Sequence, residues 1–299
     1  MTFSIVIPTK NRPKQLIAVF ESILNQKKIP NQIIIIDQSD DDKVNKSIFF
    51  KLIKKLKLIL NYIHDKKING LVEAKHLSIS LNTCNYVTFL DDDIILEKNY
   101  LYEIENSLKK SPDMIGLNGF IKNYPKVSLT KRLIFRITHF GIFRDNRMSI
   151  ISSIKPNSIN PKKVDVLSGG LSTWRRDVLD SVPFDIKNGF HAYEDKEFSM
   201  RVFKKFSKCF FIIPQAKLNH YHSEVNRQTK LNRVQNDVIE IIMLFKKNWN
   251  FSLMGLDLIV LLFGLLVNSI MLSIKFKNHL FVKNFLEGIV KGFQKGLNK

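Results

Sequence analysis

Cysteine is almost missing from this chain: its 299 residues include two, Cys84 and Cys209, each within or beside an apolar run. No disulfide framework or cysteine metal cluster can be built from two such residues, which points to a reducing compartment. Acids are scarce beside bases, 27 against 47, leaving a formal net charge of +20 and a pI near 9.8. A field of that sign favours anionic partners: nucleic acid, an acidic membrane surface or phosphorylated substrates. The first residues show no basic region, apolar core and cleavage site of a secretion signal, so the N-terminal part is expected in the cytoplasm. Charge vanishes between Leu258 and Ile274, seventeen residues, the short end of the roughly 17–25 that span a bilayer.

What is present first is alternation of strand and helix patterns. Ser4 to Pro8 reads as a buried strand, and Thr9-Lys10-Asn11-Arg12-Pro13 as a turn with a proline suited to a first helical turn. Leu16, Ile17, Phe20, Ile23 and Leu24 recur at helical spacing. Ile33–Ile36 predicts a second strand ending at Asp37, followed by the polar loop Gln38 to Asp42, whose residues can cap the next helix. A strand from Leu58 to Ile63 and a helix from about Leu71 to Asn82 follow. Short links between such elements call for a parallel sheet covered on both faces. Right-handed crossovers then bring the strand C-termini, and with them Thr9, Asp37 and Asp91–Asp93, to one edge.

Tyr86-Val87-Thr88-Phe89-Leu90 runs straight into Asp91-Asp92-Asp93. Three adjacent acids repel one another when buried together, so they belong at the exposed end of that strand. Such a triplet is either an acidic turn or a site for a hard divalent cation such as Mg2+ or Mn2+ with phosphate co-ligands. The convergence of Thr9 and Asp37 on the same edge, where open α/β sheets bind ligands, favours the second.

A helix near Asn99–Lys110 and a strand near Met114–Ile121 precede a stretch of another kind. Lys122 to Lys163 holds ten Lys and Arg but one acid, Asp145. Leu133, Ile134, Phe135, Ile137, Phe140, Ile142 and Phe143 interleave there with Lys131, Arg132, Arg136 and Arg144. Such a segment suits either an anionic bilayer surface or a solvated face over an ordinary packed helix. A short strand from Val164 to Leu167 ends in Ser168-Gly169-Gly170, a backbone fit for close approach. Glu194 and Asp195 open a helix carrying Phe198, Val202 and Phe206, where acids also serve the helix dipole. Cys209–Ile213 is a further strand; His220 and His222 follow at strand spacing.

From Val225 to Phe245 the pattern is helical again. The uncharged stretch 258–274 fits either a span or a re-entrant hairpin bent near Gly264, and basic residues on both sides give no orientation. Phe281, Phe285, Ile289 and Phe293 form one helical stripe among Lys283, Lys291 and Lys295, read as a cationic amphipathic helix at a membrane face.

Taken in order, Ile5–Pro13, Ile35-Ile36-Asp37-Gln38-Ser39, Gly70–His76, Asp91–Asp93, Ser168–Gly170, Glu194-Asp195 and His220 resemble the motifs of family 2 glycosyltransferases. The resemblance covers about Thr2 to Ser223. It implies an α/β fold of GT-A type: a Rossmann-like, mostly parallel sheet flanked by helices, here with a C-terminal helical membrane-associating region. The domains implied are 1–224, with a nucleotide-sugar half (1–122) and an acceptor half (123–224), then 225–299. It also implies that Pro8, Thr9, Asn11, Arg12 and Asp37 line the base and ribose pocket, with Asp37 favouring uracil or thymine. Lys75, where the family commonly has arginine, would meet the base or diphosphate. Asp91 and Asp92 would hold ribose or metal-bound water, and Asp93, with Asp91 and His220, the cation. Gly169, Gly170 and Trp174 would face the acceptor, with Asp195 as general base and Glu194 orienting it or binding the acceptor. Two departures stand out: Lys75-His76 replaces Arg-Asn, which removes bidentate contacts, and Gln38 stands where a second aspartate is usual.

The expected reaction is inverting transfer of a hexosyl or deoxyhexosyl group from a nucleotide-diphosphate donor, UDP or dTDP favoured, to a hydroxyl of a glycan or polyprenyl-linked glycan. Its expected setting is bacterial cell-surface polysaccharide synthesis at the cytoplasmic face of the plasma membrane, peripheral or on a single anchor. A nucleotidyltransferase would want a glycine-rich phosphate loop after the first strand, and Thr9 to Pro13 contains no glycine. A nucleic-acid-binding protein would need a basic face with stacking aromatics; the bases here sit mostly in amphipathic segments, so nucleic acid is not expected as a partner.

Overall fold

The computed structural model describes residues 1–41, 46–54, 56–155, 157–223, 225 and 228–296. Asp42, read as part of a capping loop, and residues 226 and 227, read as helical, lie outside them. Strands β1 (Phe3–Thr9), β2 (Gln32–Asp37), β3 (Ile59–His64) and β4 (Tyr86–Phe89) are parallel, linked by helices α1 (Pro13–Leu24), α2 (Lys46–Ile53) and α3 (Gly70–Leu81). Alternation along the strands explains why helices cover both faces. Ile5, Ile7, Ile33 and Ile35 pack into one core, and Val6, Ile34 and Ile36 into the other. Each fully buried isoleucine contributes about 1.5–3 kcal/mol. Pro13 opens α1, where its missing N–H costs nothing.

Beyond β4 the sheet turns mixed. β5 (Ile94–Leu96), α4 (Tyr100–Lys110) and β6 (Gly116–Ile121) are followed by α5 (Leu129–Thr138), α6 (Arg147–Ser153), β7 (Lys162–Val164) and β8 (Ser172–Arg175), then α7 (Arg176–Ser181), α8 (Glu194–Phe206) and β9 (Phe210–His220). The order across the sheet is β3-β2-β1-β4-β8-β6-β9-β5, with β7 on β9. β8 is antiparallel to both β4 and β6, whereas β9 is parallel to β6. The C-termini of β1, β2, β4 and β9 therefore share one edge with the N-terminus of β8. The expected strand over Val164–Leu167 is displaced: β7 ends at Val164, and the strand inside the sheet is β8, beyond the glycines. Four residues, Ser-Thr-Trp-Arg, carry too little apolar run to signal a strand alone.

The C-terminal helices are α9 (Lys230–Lys247), α10 (Leu256–Phe276) and α11 (Leu280–Gln294). Helix α9 starts later than the sequence suggested because Thr229 caps it, its side chain accepting from the Asn232 N–H at 3.2 Å. Helix α10 runs straight through Gly264 without the hairpin bend allowed for above. Most of the apolar stripe on α11 is already covered: Phe281 and Phe285 are buried, and Gly288 and Gly292 let the helix lie directly on Val238 and Ile242 of α9. A third core joins Val238, Ile241 and Ile242 of α9, Leu258 and Leu261 of α10 and Phe285 to Ile142, Phe143 and Phe190 of the preceding region, so Ile142 and Phe143 of the basic amphipathic segment are core residues and not part of a surface face.

Candidate active site

Strand ends place the acids. Asp91–Asp93 leave β4 at the shared edge, and His220 arrives there at the end of β9, where it pairs with Ile94. Its Nε2 lies 2.8 Å from Asp93 Oδ1 and 4.0 Å from Asp91 Oδ2. One ligand atom from each of Asp91, Asp93 and His220 fits within 4.8 Å of the others. Two carboxylate oxygens and an imidazole nitrogen so close together suit Mn2+ or Mg2+. Burial opposes the charge on Asp93, but His220, the Ser223 N–H at 2.8 Å and Arg12 outweigh it and hold the carboxyl down to about 2. It is ionised and ready for a cation. His222, beyond the strand and at φ 48°, lies against His220 with ring centroids 3.9 Å apart and the rings tilted by 39°.

Asp92 points elsewhere. Its oxygens accept from Thr9 Oγ1 at 2.6 Å and Arg12 Nη1 at 2.8 Å, and burial pushes it up to about 6 in spite of both. Two residues expected to line the donor pocket, Thr9 and Arg12, are thus tied to the acidic triplet, and Arg12 reaches on to the Val225 carbonyl. Asn11 adopts φ 55°, which asparagine tolerates. It laces the first loop to the second, its N–H to Ser39 Oγ at 2.7 Å and its amide to Asp40 at 2.8 Å. Asp37 is fully buried, and both its oxygens are engaged: Oδ1 by Ser39, Oδ2 by the Tyr62 hydroxyl at 2.5 Å. Pro8 lies buried within β1.

Glu194 and Asp195 open α8 on the other side of the Gly169-Gly170 turn. Lys75 does not face solvent as expected of a donor-binding cation. It is 1% exposed, donates to Glu194 Oε1 at 2.7 Å and to the Gly169 carbonyl at 3.0 Å, and lies near the Phe89 and Phe184 rings. Glu194 Oε2 is buried with no hydrogen-bond partner among the described residues. Burial raises the Glu194 carboxyl above its usual range against the pull of Lys75. Glycine is required at both turn positions. A Cβ at Gly169 would sit 2.0 Å from Glu194 Oε1, and one at Gly170 2.0 Å from Asp91 Oδ2. The Asp91 N–H also donates to the Gly170 carbonyl at 2.8 Å. One dipeptide therefore separates the metal-competent triad from the acid pair.

Trp174, expected on the acceptor side, lies in the core. Its ring is 2% exposed and edge-on to Phe198 and Phe210. Strand alternation turns Trp174 inward, so it supports the floor of the site and offers no surface to an acceptor.

Three residues at the site carried no motif. Arg147 donates to both oxygens of Asp145, to Ser168 Oγ at 3.3 Å and to Asp195 Oδ2 at 2.5 Å, which fixes the Asp195 carboxylate. Burial works against the Asp145 charge, but Arg147 holds it down to about 2. Glu240 of α9 accepts from three successive backbone N–H groups, His191 at 3.0 Å, Ala192 at 2.8 Å and Tyr193 at 3.0 Å, directly before the acid pair. The signals available were thin: Asp145 is the one acid in a basic stretch, and Glu240 the one acid in Val238–Phe245.

The Glycosyl transferase family 2 model matches residues 4–182. An uncharacterized glycosyltransferase of Rickettsia felis is 32% identical over 146 residues, 48% of this chain and 22% of that protein. One of Rickettsia bellii is 35% identical over 98 residues, 33% of this chain and 14% of that protein. The aligned segments thus span under a quarter of these curated relatives. Among solved structures, the mannosyltransferase PcManGT of Pyrobaculum calidifontis, in complex with GDP-Man and Mn2+, superposes with a TM-score of 0.62 at 11% identity, covering 97% of this chain and 86% of that one. GalNAc-T7 with UDP, GalNAc and Mn2+ gives 0.59 at 13% identity, covering 82% and 48%. At such identities the likeness is one of fold, and the fold is GT-A. Matched by the family model over more than half its length, this chain belongs to glycosyl transferase family 2.

Proposed function

We propose that the protein is a metal-dependent, inverting glycosyltransferase moving a hexosyl or deoxyhexosyl group from a nucleotide-diphosphate donor to a hydroxyl of a glycan or lipid-linked glycan. The observation that carries this is the placing of Asp91, Asp93 and His220 on one side of Gly169-Gly170 and of Glu194 and Asp195 on the other. A sugar transfer needs these two functions a short distance apart. Held by Asp91, Asp93 and His220, a divalent cation would offset the negative charge of the departing diphosphate. Asp195 would take the proton of the attacking hydroxyl, its carboxylate plane set by Arg147. Glu194, locked by Lys75, would orient the acceptor through its free oxygen. The two structural neighbours hold Mn2+ with different nucleotides, UDP and GDP-Man, so the fold supports a nucleotide-sugar donor without choosing the base. A preference for UDP or dTDP rests on Asp37, whose Oδ1 is taken up by the two Ser39 donors and whose Oδ2 keeps one lone pair beside the Tyr62 hydroxyl. The setting we propose is the cytoplasmic face of the plasma membrane, in cell-surface polysaccharide synthesis.

The test is a panel of UDP-, dTDP- and GDP-sugars with Mn2+ or Mg2+, scored by nucleotide release. Release is expected from one nucleotide class, stopped by chelation, and abolished in Asp93→Asn and Asp195→Asn with melting temperatures retained. Near-wild-type turnover in either variant removes that residue from its role.

A further inference from the structure

We infer that α10 lies in the plane of an anionic phospholipid leaflet, docked together with α5, and does not cross the bilayer. This concerns attachment alone and stands or falls independently of the transferase reading. By length and composition α10 could span, being 21 residues with a mean hydropathy of 2.2 over its most apolar window, which is 22% buried. Its attachments are what exclude that orientation.

The first turn is pinned to the body of the protein. Asp257 is fully buried; its Oδ2 accepts from the Ile142 N–H at 3.1 Å and its Oδ1 from Ser252 Oγ at 2.5 Å. The middle is pinned as well. Gly264 lies against Thr138 at the end of α5, so closely that a Cβ there would come within 2.6 Å of the threonine methyl. A spanning α10 would carry Gly264, and with it Thr138, to the bilayer midplane. Helix α5, ten residues and so about 15 Å long, would follow into a hydrocarbon layer about 15 Å deep on each side. Lys131, Arg132 and Arg136 would then be immersed, a costly arrangement for charges without partners at that depth.

Lying flat suits the apolar stripes and the bases alike. Leu256, Ile259, Phe263, Val267, Ile270 and Ile274 recur every three or four residues on the face of α10 turned from the protein, each at least 41% exposed. On α5, Leu129, Leu133, Ile134 and Ile137 are each at least 55% exposed, and none of its residues is buried. Both stripes belong to helices that meet at the Thr138–Gly264 contact. Exposed Lys131 and Arg136 on α5 and Lys275 and Lys277 at the end of α10 lie alongside, and the 122–163 segment carries ten bases against one acid. Apolar faces bordered by bases complement anionic headgroups over an acyl layer.

The experiment uses the full chain with Cys84 and Cys209 replaced by serine and one cysteine returned, as Asn250→Cys or His279→Cys, on either side of α10. On vesicles of phosphatidylglycerol and phosphatidylcholine, a membrane-impermeant maleimide should label both sites equally before detergent. Protection of one site until detergent is added means a span and overturns the proposal. In sedimentation with the same vesicles, Leu133→Glu with Phe263→Glu should lower binding at least tenfold, with nucleotide release in solution unchanged. Lys131→Glu with Arg136→Glu should do so only when the anionic lipid is present. Unchanged sedimentation, or loss of a dimer in place of loss of vesicle binding, assigns the face to another occupant and overturns it equally.

Discussion

Replacing Glu240 is the sharpest test of how the acid pair is held. Its carboxylate, 5% exposed, accepts from three consecutive N–H groups that lead into α8. Bonds to a charged acceptor contribute about 1.5–3 kcal/mol each. The loop residues His191 and Ala192 are themselves exposed, so water takes over part of the bonding once the side chain is gone. Burial raises the Glu240 carboxyl above its usual range, and the three N–H groups offset this only in part, which reduces the gain from charge. Glu240→Ala should therefore cost about 2–4 kcal/mol, below the sum of three bonds. Glu240→Gln keeps the shape and one oxygen for Ala192 and Tyr193, and should cost about 1 kcal/mol. Loosening the loop displaces Asp195, and a misplacement of about 1 Å lowers turnover roughly 100-fold. The assays are thermal denaturation and nucleotide release at saturating and limiting donor. The expected pattern is a fall in kcat with donor KM unchanged, because Thr9, Asn11, Arg12, Asp37 and Asp91–Asp93 sit at or just beyond the ends of β1, β2 and β4. An alanine variant with wild-type stability and kcat, or a loss confined to donor KM, would refute the reasoning.

Two further outcomes follow from the same geometry. Gly170→Ala forces a Cβ toward Asp91 Oδ2, so the Mn2+ concentration for half-maximal release should rise at least about tenfold, or about 1.4 kcal/mol; a metal titration reads this directly. His139 is pushed down to about 4, first by burial and then by Lys196. Its folded value lies below the unfolded 6.5, so its contribution is lost as pH falls from 6.5 toward 4. Between pH 7 and 4.5 the wild type should therefore lose up to about 3 kcal/mol more stability than His139→Gln in denaturant unfolding, the comparison cancelling the opposite contribution of raised carboxyls such as Asp92.

Much of the nucleotide-side sheet was legible because its strands are long and apolar on both faces, as in Ile33–Ile36, and its turns carry proline and glycine. The acids of β4 and the glycine turn were legible for a similar reason, since a carboxylate run or a glycine pair has few uses inside a strand. What escaped is what depends on tertiary partners. β8 is a strand through its neighbours β4 and β6. Lys75 looks like a surface cation in sequence, yet Glu194 and the Gly169 carbonyl draw it wholly inside. Trp174 sits four residues past a candidate acceptor loop, and alternation turns it into the core. Lone opposite charges were the overlooked signal: Asp145 among bases, Glu240 and Asp257 among apolar residues. Each is buried or nearly so and bound to a group that local periodicity cannot reveal.

The hydrogen bonds that close the site also say when in folding it forms. Thr9 and Asp92 are 83 residues apart in sequence, Lys75 and Glu194 119, and Arg12 and Val225 213. Loops of that length must be closed before any of these pairs repays the entropy of meeting. Until then Asp91, Asp92 and Asp93 lack the partners that offset their mutual repulsion, so the triplet resists local collapse. The β1–β4 sheet can assemble from the first ninety or so residues as they emerge. The catalytic edge waits for β9 and α9, and so completes after that sheet.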